Sequence, residues 1–297
     1  MRLLLFGKAG QVGWELQRAL SPLGEIMALD RAGGDNLCGD FTNPEGLADT
    51  VRQLAPDVIV NAAAYTAVDK AESEPEQARI INAHAPAALA RAAKSLGAWL
   101  VHYSTDYVFD GGGTQFWRED DPTAPLGVYG LTKLEGERAI RALGSRHIIL
   151  RTSWVYGARG NNFAKTMLRL ARERDRLTVI DDQIGAPTGA DLLADVTAHL
   201  IRTAQRHPEV GGLYHLVAAG ETSWHGYASF VLDFARKSGV SLKADAIAPV
   251  PSSAFPTAAR RPHNSRLDTT KLRETFDLTV PHWQTGVARM LTEILEK

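Results

Sequence analysis

The chain opens Met1-Arg-Leu-Leu-Leu-Phe6-Gly7-Lys-Ala-Gly10-Gln-Val-Gly13, and a helical pattern then runs through Leu20. An apolar strand enters a glycine-rich turn that opens an amphipathic helix, which is the context a dinucleotide fingerprint requires. The first glycine allows the tight turn. The later ones admit a pyrophosphate and let the helix pack close to its strand, with phosphate at the helix N-terminus. The spacing is G-x-x-G-x-x-G, a variant of the commoner G-x-G-x-x-G, and a plain strand-to-helix turn is the competing reading. A second strand, Glu25-Ile-Met-Ala-Leu-Asp30, favours the dinucleotide. It ends in an acid roughly 20 residues on, placed to accept from a ribose 2′-hydroxyl. Asp30 favours NADH, whereas Arg31 is either a partner for the 2′-phosphate of NADPH or a solvated loop charge.

Outward from that turn, β-rich runs at Leu3–Phe6, Ile26–Asp30, Asp57–Asn61, Trp99–Ser104 and His147–Arg151 alternate with helical stretches. Those stretches are Gln11–Leu20, Pro44–Leu54, Glu76–Leu96 and Tyr129–Leu143. Such alternation predicts an α/β fold, a doubly wound parallel sheet of Rossmann type with right-handed crossovers. Ligands of such sheets bind beyond the carboxyl ends of the strands, where Gly7, Asp30, Asn61 and Ser104-Thr105 fall. After Arg151 the pattern loosens into helices at Phe163–Arg172, Asp191–Gln205, Trp224–Ser238 and His282–Glu296. Short strands are expected near Leu177–Ile180 and Leu213–Leu216, and Pro249–Pro262 reads as loop. The expected division is residues 1–151 for the dinucleotide and residues 152–297 mainly for substrate, with strands of the second half free to return to the sheet.

Tyr129 and Lys133 stand four apart at the start of a predicted helix, one above the other on one face. A cation beside a phenol favours phenolate and draws the tyrosine toward the working pH, as an acid catalyst needs. Alone, such a pair is ordinarily helix-surface packing. With the glycine turn it predicts hydride transfer to or from a carbonyl.

Bulk properties set the class. The 297 residues carry a formal net charge of −1 and one cysteine, Cys38. That length buries roughly three quarters of the unfolded surface. The charge gives no general pull toward nucleic acid or membrane. A lone cysteine excludes an intrachain disulfide and fits a reducing compartment. No apolar run reaches the ~18 residues of a membrane span, so a cytoplasmic location is expected. His102 reads as a satisfied core histidine, and the histidines lack zinc-ligand spacing.

Taken together, Gly7-x-x-Gly10-x-x-Gly13, Asp57-Val-Ile-Val-Asn61-Ala-Ala-Ala64, Ser104-Thr105, Tyr129-x-x-x-Lys133 and Arg151-Thr-Ser-Trp-Val-Tyr-Gly157 resemble the extended short-chain dehydrogenase/reductase family over nearly the whole chain. Within it, Asn61–Glu72, Ser104–Gly111, Gln183–Thr188 and Arg260–Asp268 resemble reductases of a dTDP-sugar 4-ketone that serve cell-surface polysaccharide synthesis. The resemblance implies that Tyr129 protonates the developing alkoxide. Lys133 lowers the tyrosine pKa and holds the nicotinamide ribose, and Thr105 binds the carbonyl oxygen. It implies cofactor contacts from Gly7, Gly10, Gln11, Val12, Gly13, Asp30, Arg31, Asp40, Phe41, Ala62, Ala63 and Ala64 besides Tyr129 and Lys133. Substrate contacts are implied for Thr66, Val68, Asp106, Trp154, Asn264 and the pair Arg260-Arg261. Asp106 is alternatively a turn former, Trp154 core packing, and the arginines a solvated loop. Related sugar-nucleotide dehydratases follow the threonine with Asp-Glu; here Asp106 precedes Tyr107, which disfavours elimination. Glu15, Asp191 and Glu293 stand where some relatives bind a structural Mg²⁺ between the subunits of a homodimer, although an Asp reaches less far than a Glu. The resemblance also leaves open a regulatory subunit like that of methionine adenosyltransferase, or a reductase or epimerase of another nucleotide sugar.

Overall fold

A computed structural model describes residues 1–296. Strands β1 (Arg2–Phe6), β2 (Glu25–Leu29), β3 (Val58–Asn61), β4 (Trp99–Thr105), β5 (His147–Thr152) and β6 (Gly212–His215) form one sheet in the order β6-β5-β4-β3-β1-β2. Every pairing in it is parallel. β6 comes from the second half and docks beside β5, so the sheet crosses residue 151. The doubly wound parallel fold expected from the sequence is present.

The sheet is apolar on both faces because helices cover both, and the side chains sort by the two-residue period of a strand. Leu3, Leu5, Val58, Val60, Ile148 and Leu150 face one layer, with Leu16 and Leu20 of α1 (Gln11–Leu20). Leu4, Phe6, Ile59, Leu100 and Ile149 face the other, against Leu47 and Val51 of α2 (Pro44–Leu54) and Leu89 of α3 (Ala85–Leu96). Each fully buried leucine contributes about 1.5–3 kcal/mol relative to exposure. Helix α4 (Val128–Leu143) starts at Gly127 and ends at Gly144, whose φ of +62° stops it.

Beyond β5, α5 (Phe163–Glu173), α7 (Trp224–Lys237) and α8 (Trp283–Leu295) gather a separate core around Met167, Leu168, Tyr227, Val231 and Trp283. α6 (Ala190–Arg206) instead packs through Leu193 and Leu200 into the sheet layer that α1 covers. Two expectations need correction. Glu76–Leu96 is not one α-helix: Pro75–Arg79 passes through a π turn at Ile80–His84 before α3. Pro86 has no N–H for the carbonyl of Asn82, so the regular ladder cannot continue there. The stretch from Pro249 is not wholly loop either, because Ala246–Val250 pairs in parallel with Arg176–Ile180.

One ion pair lies inside this frame. Arg151 on β5 donates from Nε and Nη2 to both carboxylate oxygens of Glu137 on α4, at 2.9 and 2.7 Å. Both residues are 1% exposed. Replacing Glu137 by Leu strands a buried guanidinium, so urea denaturation of E137L is expected to show about 3–5 kcal/mol lost. The double change E137L/R151M is expected to recover most of it.

Candidate active site

A cleft of ≈ 950 Å³ opens at the carboxyl ends of the sheet strands. Its floor is the glycine turn. Gly7 has φ +86°, and a Cβ there would lie 2.8 Å from the backbone of Ala62. A Cβ on Gly13 would lie 2.0 Å from the carbonyl oxygen of Gly7, so that glycine lets α1 seat against the turn. Gly10 has room, its hypothetical Cβ meeting nothing closer than 3.4 Å, and it lines the cleft. The three glycines thus divide the work as the fingerprint requires: turn, open approach and helix packing. Of the residues expected to touch a dinucleotide, Gly7, Gly10, Gln11, Val12, Asp30, Arg31, Asp40, Phe41, Ala62, Ala63, Ala64, Tyr129 and Lys133 line this cleft. Gly13 lies behind it. Asp30 sits 3.6 Å from Lys8, and the exposed Arg31 sits 3.4 Å from Asp40.

At the other end stand Thr105, Tyr129 and Lys133. Thr105 ends β4, where its hydroxyl donates to Asp106 at 3.1 Å and accepts from the Tyr107 N–H at 3.2 Å. The Tyr129 phenol lines the same end of the cleft, near enough to Thr105 to feel its hydroxyl. Burial pushes its pKa up to about 12, against the pull of Thr105 and with some push from Asp106. This corrects the expectation that Lys133 draws the phenol down. The ammonium lies one turn along α4, but its Nζ is drawn to β4, donating to the Tyr103 carbonyl at 2.6 Å. Burial lowers the Lys133 pKa to about 8, partly offset by Glu137. Asp106 is 3% exposed and burial raises its pKa to about 6, with Ser265 and Thr105 pulling the other way.

The cleft also holds buried polar atoms without protein partners: Ser104 Oγ, Asp106 Oδ2, Thr152 Oγ1 and Ser153 Oγ. Clustered on one wall, such atoms suit a polar ligand, because each left unpaired is costly. The glycine cradle, the α1 N-terminus and this wall fit a nicotinamide dinucleotide with a polyhydroxylated partner.

Thr66, Val68, Asp106 and Trp154 line the cleft. Trp154 carries a left-handed backbone, φ +50°, rare for a bulky side chain and typical of over-determined sites. Its indole stacks on Trp224 at 3.7 Å between centroids. Beyond it is a second cavity of ≈ 250 Å³, walled by Trp154, Phe163, Met167, Trp224 and Arg261. Two expected substrate residues lie elsewhere. Arg260 is exposed and lines neither cavity. Asn264 is buried, but its amide nitrogen donates to the Gly112 and Gln115 carbonyls and its oxygen accepts from Arg266. It ties down the 112–115 loop. Arg261, not Arg260, reaches the second cavity, held by Asp69 at 2.7 Å. Tyr107, edge-on to Tyr129 at 5.5 Å, and Trp224 are site residues that the sequence reading did not single out. Neither stands in a spacing that marks it.

Glu15 pairs with Arg18, and Asp191 with Arg289. Among the described residues of one chain, no group of three or more His, Cys, Asp or Glu side chains is set to hold a metal. No helix of the described chain is long and apolar enough to cross a membrane.

Comparison with known proteins agrees with this geometry. The dTDP-4-dehydrorhamnose reductase of Escherichia coli K12 is 62% identical over 294 residues, covering 99% of this chain and 98% of that one. A crystal structure of the Clostridium acetobutylicum dTDP-4-dehydrorhamnose reductase superposes with a TM-score of 0.89 at 35% identity, covering 100% of both chains. The Bacillus anthracis reductase, solved in complex with NADP, gives 0.87 at 36% identity over 98% of this chain and 99% of that one. The model of the RmlD substrate binding domain matches residues 1–296, and the chain belongs to that family.

Proposed function

We propose that the protein is an NAD(P)H-dependent dTDP-4-dehydrorhamnose reductase, which converts the C4 ketone of dTDP-6-deoxy-L-lyxo-4-hexulose to the alcohol of dTDP-L-rhamnose. The observation that carries the reading is the meeting of Thr105, Tyr129 and Lys133 at one end of a cleft whose other end is a glycine turn. The 62% identity to a reductase of that name supports the substrate.

The bound nicotinamide supplies a hydride to the carbonyl carbon. Tyr129 delivers its phenolic proton to the carbonyl oxygen as negative charge gathers there. A phenol held near 12 stays protonated at neutral pH, so the acid is loaded before each reduction. Thr105 turns its hydroxyl from Asp106 toward the same oxygen and stabilises the developing charge. Lys133 binds the nicotinamide ribose hydroxyls in its ammonium form. Gly7 and Gly10 with the α1 N-terminus hold the pyrophosphate. Asp30 takes the adenosine ribose, with Arg31 beside it for a 2′-phosphate, so the site accepts either NADH or NADPH.

Residues 152–297 form mainly the substrate side. Thr66, Val68 and Asp106 border the sugar, Trp154 gives it an apolar wall, and Arg261 faces the diphosphate from the second cavity in place of Arg260. The resemblance further supports a homodimer with Mg²⁺ shared through Glu15, Asp191 and Glu293 at a distance from the chemistry.

Three outcomes follow from these roles. Tyr129→Phe is expected to lower kcat by about 10²–10⁴-fold while leaving the cofactor Kd within about threefold; unchanged turnover in an NADPH-oxidation assay refutes the acid. For pH, the sign is that of a depressed lysine: the ammonium is present below its pKa and lost above it. kcat/KM is therefore expected to fall as pH rises through about 8, read from a pH-rate profile with enzyme stability checked at each point. Since the metal takes no part in the chemistry, EDTA treatment is expected to leave kcat within about twofold while weakening dimerisation, measured by sedimentation.

A further inference from the structure

Lys133 is held by more than its carbonyl partner. Its Nζ lies 3.4 Å from Nε2 of His102, a β4 residue 1% exposed. The other ring nitrogen, Nδ1, lies 3.0 Å from the side-chain nitrogen of Asn61 on β3. The orientation of that amide is fixed, because Asn61 Oδ1 accepts from the Ala63 N–H at 3.0 Å. The nitrogen of Asn61 is therefore the atom facing His102, and it only donates. Nδ1 must then be an acceptor, and the neutral ring carries its proton on Nε2, toward Lys133.

An Nε2–H and an ammonium facing each other have no acceptor between them. An amine at Nζ resolves the conflict: it accepts from Nε2–H and still donates to the Tyr103 carbonyl. We propose that His102, fixed as its Nε2–H tautomer by Asn61, is a positioning residue that holds Lys133 poised between ammonium and amine. The functional weight of this inference rests on the reductase reading of the cleft.

Every element packed around Lys133 brings a polar or charged group to it. From α4 itself, Tyr129 lies one turn before it and Glu137 one turn after, and the Glu137 carboxylate favours the ammonium. Arg151 of β5 holds that carboxylate in a bidentate pair. From β4 come the His102 ring and the Tyr103 carbonyl, and from β3 the uncharged Asn61 amide that sets the ring. Burial, and after it the charge of Lys133, drives the His102 pKa far down, so the ring answers Lys133 as a neutral donor and does not titrate with it. Glu137 thus pulls toward the charged form and His102 toward the neutral one.

Two measurements test this. ¹⁵N-histidine NMR of the full chain at neutral pH reads the His102 tautomer, assigned by the signal lost in His102→Gln. The Nε2–H form is expected, and the Nδ1–H form or an imidazolium overturns the proposal. The second measurement is the alkaline limb of kcat/KM. A glutamine at position 102 can turn its carbonyl oxygen to Nζ and accept from the ammonium, so the limb of H102Q is expected to move up by about one pH unit. A limb that stays or moves down, in a variant that unfolds at the wild-type temperature, also overturns it. Should H102Q not fold, the wild-type tautomer, assigned by lysine-133 titration effects on the ring signals, decides. Wild-type protein without ketone-dependent NADPH oxidation would refute the reductase reading, whereas the tautomer would still be read independently.

Discussion

The buried pair of Arg151 and Glu137 is the constraint on which the site's geometry depends. It joins β5 to the middle of α4, the helix that carries Tyr129 and Lys133 in its first two turns. The arginine also reaches into the segment after β4. Its guanidinium lies over Phe109 at 5.0 Å, Phe109 stacks on Trp117 at 4.6 Å, and His215 of β6 meets Phe109 edge-on. Burial and the charge of Arg151 push the His215 pKa down to about 3, so that ring stays neutral beside the cation. Two buried charges bring little net stability, because desolvation cancels most of their attraction. What they fix is register: a bidentate pair tolerates little sliding of α4 along the sheet, and a slide of one residue would carry the phenol away from Thr105.

Where the second half meets the first, the chain accepts strain. Trp154, two residues past the end of β5, has φ +50°, and its ring fills the space over Gly185, where a Cβ would lie 2.8 Å from the indole. A conformation that costs about 1–3 kcal/mol persists when its surroundings over-determine it. Here the surroundings are the stack on Trp224 and the Thr188 N–H donating to the Trp154 carbonyl. The same residue borders both cavities, and together with Tyr107 it stands between the main cleft and the outer pocket.

The sheet, the glycine turn and the pairing of Tyr129 with Lys133 were legible because each rests on local pattern: short apolar strands, glycines at fixed offsets, and a tyrosine and lysine one helical turn apart; Thr105 entered only through the family resemblance. The parts that sequence misplaced depend on contacts between distant segments. Helical periodicity continues through Ile80–His84, so the π turn there is invisible to it. Pro86 breaks the ladder there, and contacts with distant segments hold the turn that results: Asn82 turns inward to bond Tyr65 and Thr132, and its carbonyl lies against Gly136, where a Cβ would come within 2.2 Å. Adjacent arginines look alike in a sequence, yet Arg261 points inward because Asp69, 192 residues earlier, receives it. Asn264 resembled a substrate contact and is a loop tie. His102 looked like a core histidine and is one; only the fold shows that its second nitrogen faces Lys133. The cation's effect on Tyr129 was misjudged for the same reason, since the carbonyl of Tyr103 that draws Nζ away belongs to another strand.

The chemistry of the cleft distinguishes reduction from elimination on the residues themselves. Eliminating water from a sugar needs a base at the carbon losing its proton and an acid at the departing hydroxyl, beside the group that handles the ketone. Three carboxylates line this cleft: Asp30, Asp40 and Asp106. Asp30 and Asp40 stand at the glycine-turn end with Lys8 and Arg31. That leaves Asp106 alone near the trio, and the next position is Tyr107, whose phenol burial pushes well above its ordinary range and so keeps it from acting as a base. One carboxylate cannot serve both ends of an elimination. Ketone reduction asks for less: one proton donor, a stabiliser of the oxyanion and a cation at the ribose, the three roles proposed for Tyr129, Thr105 and Lys133.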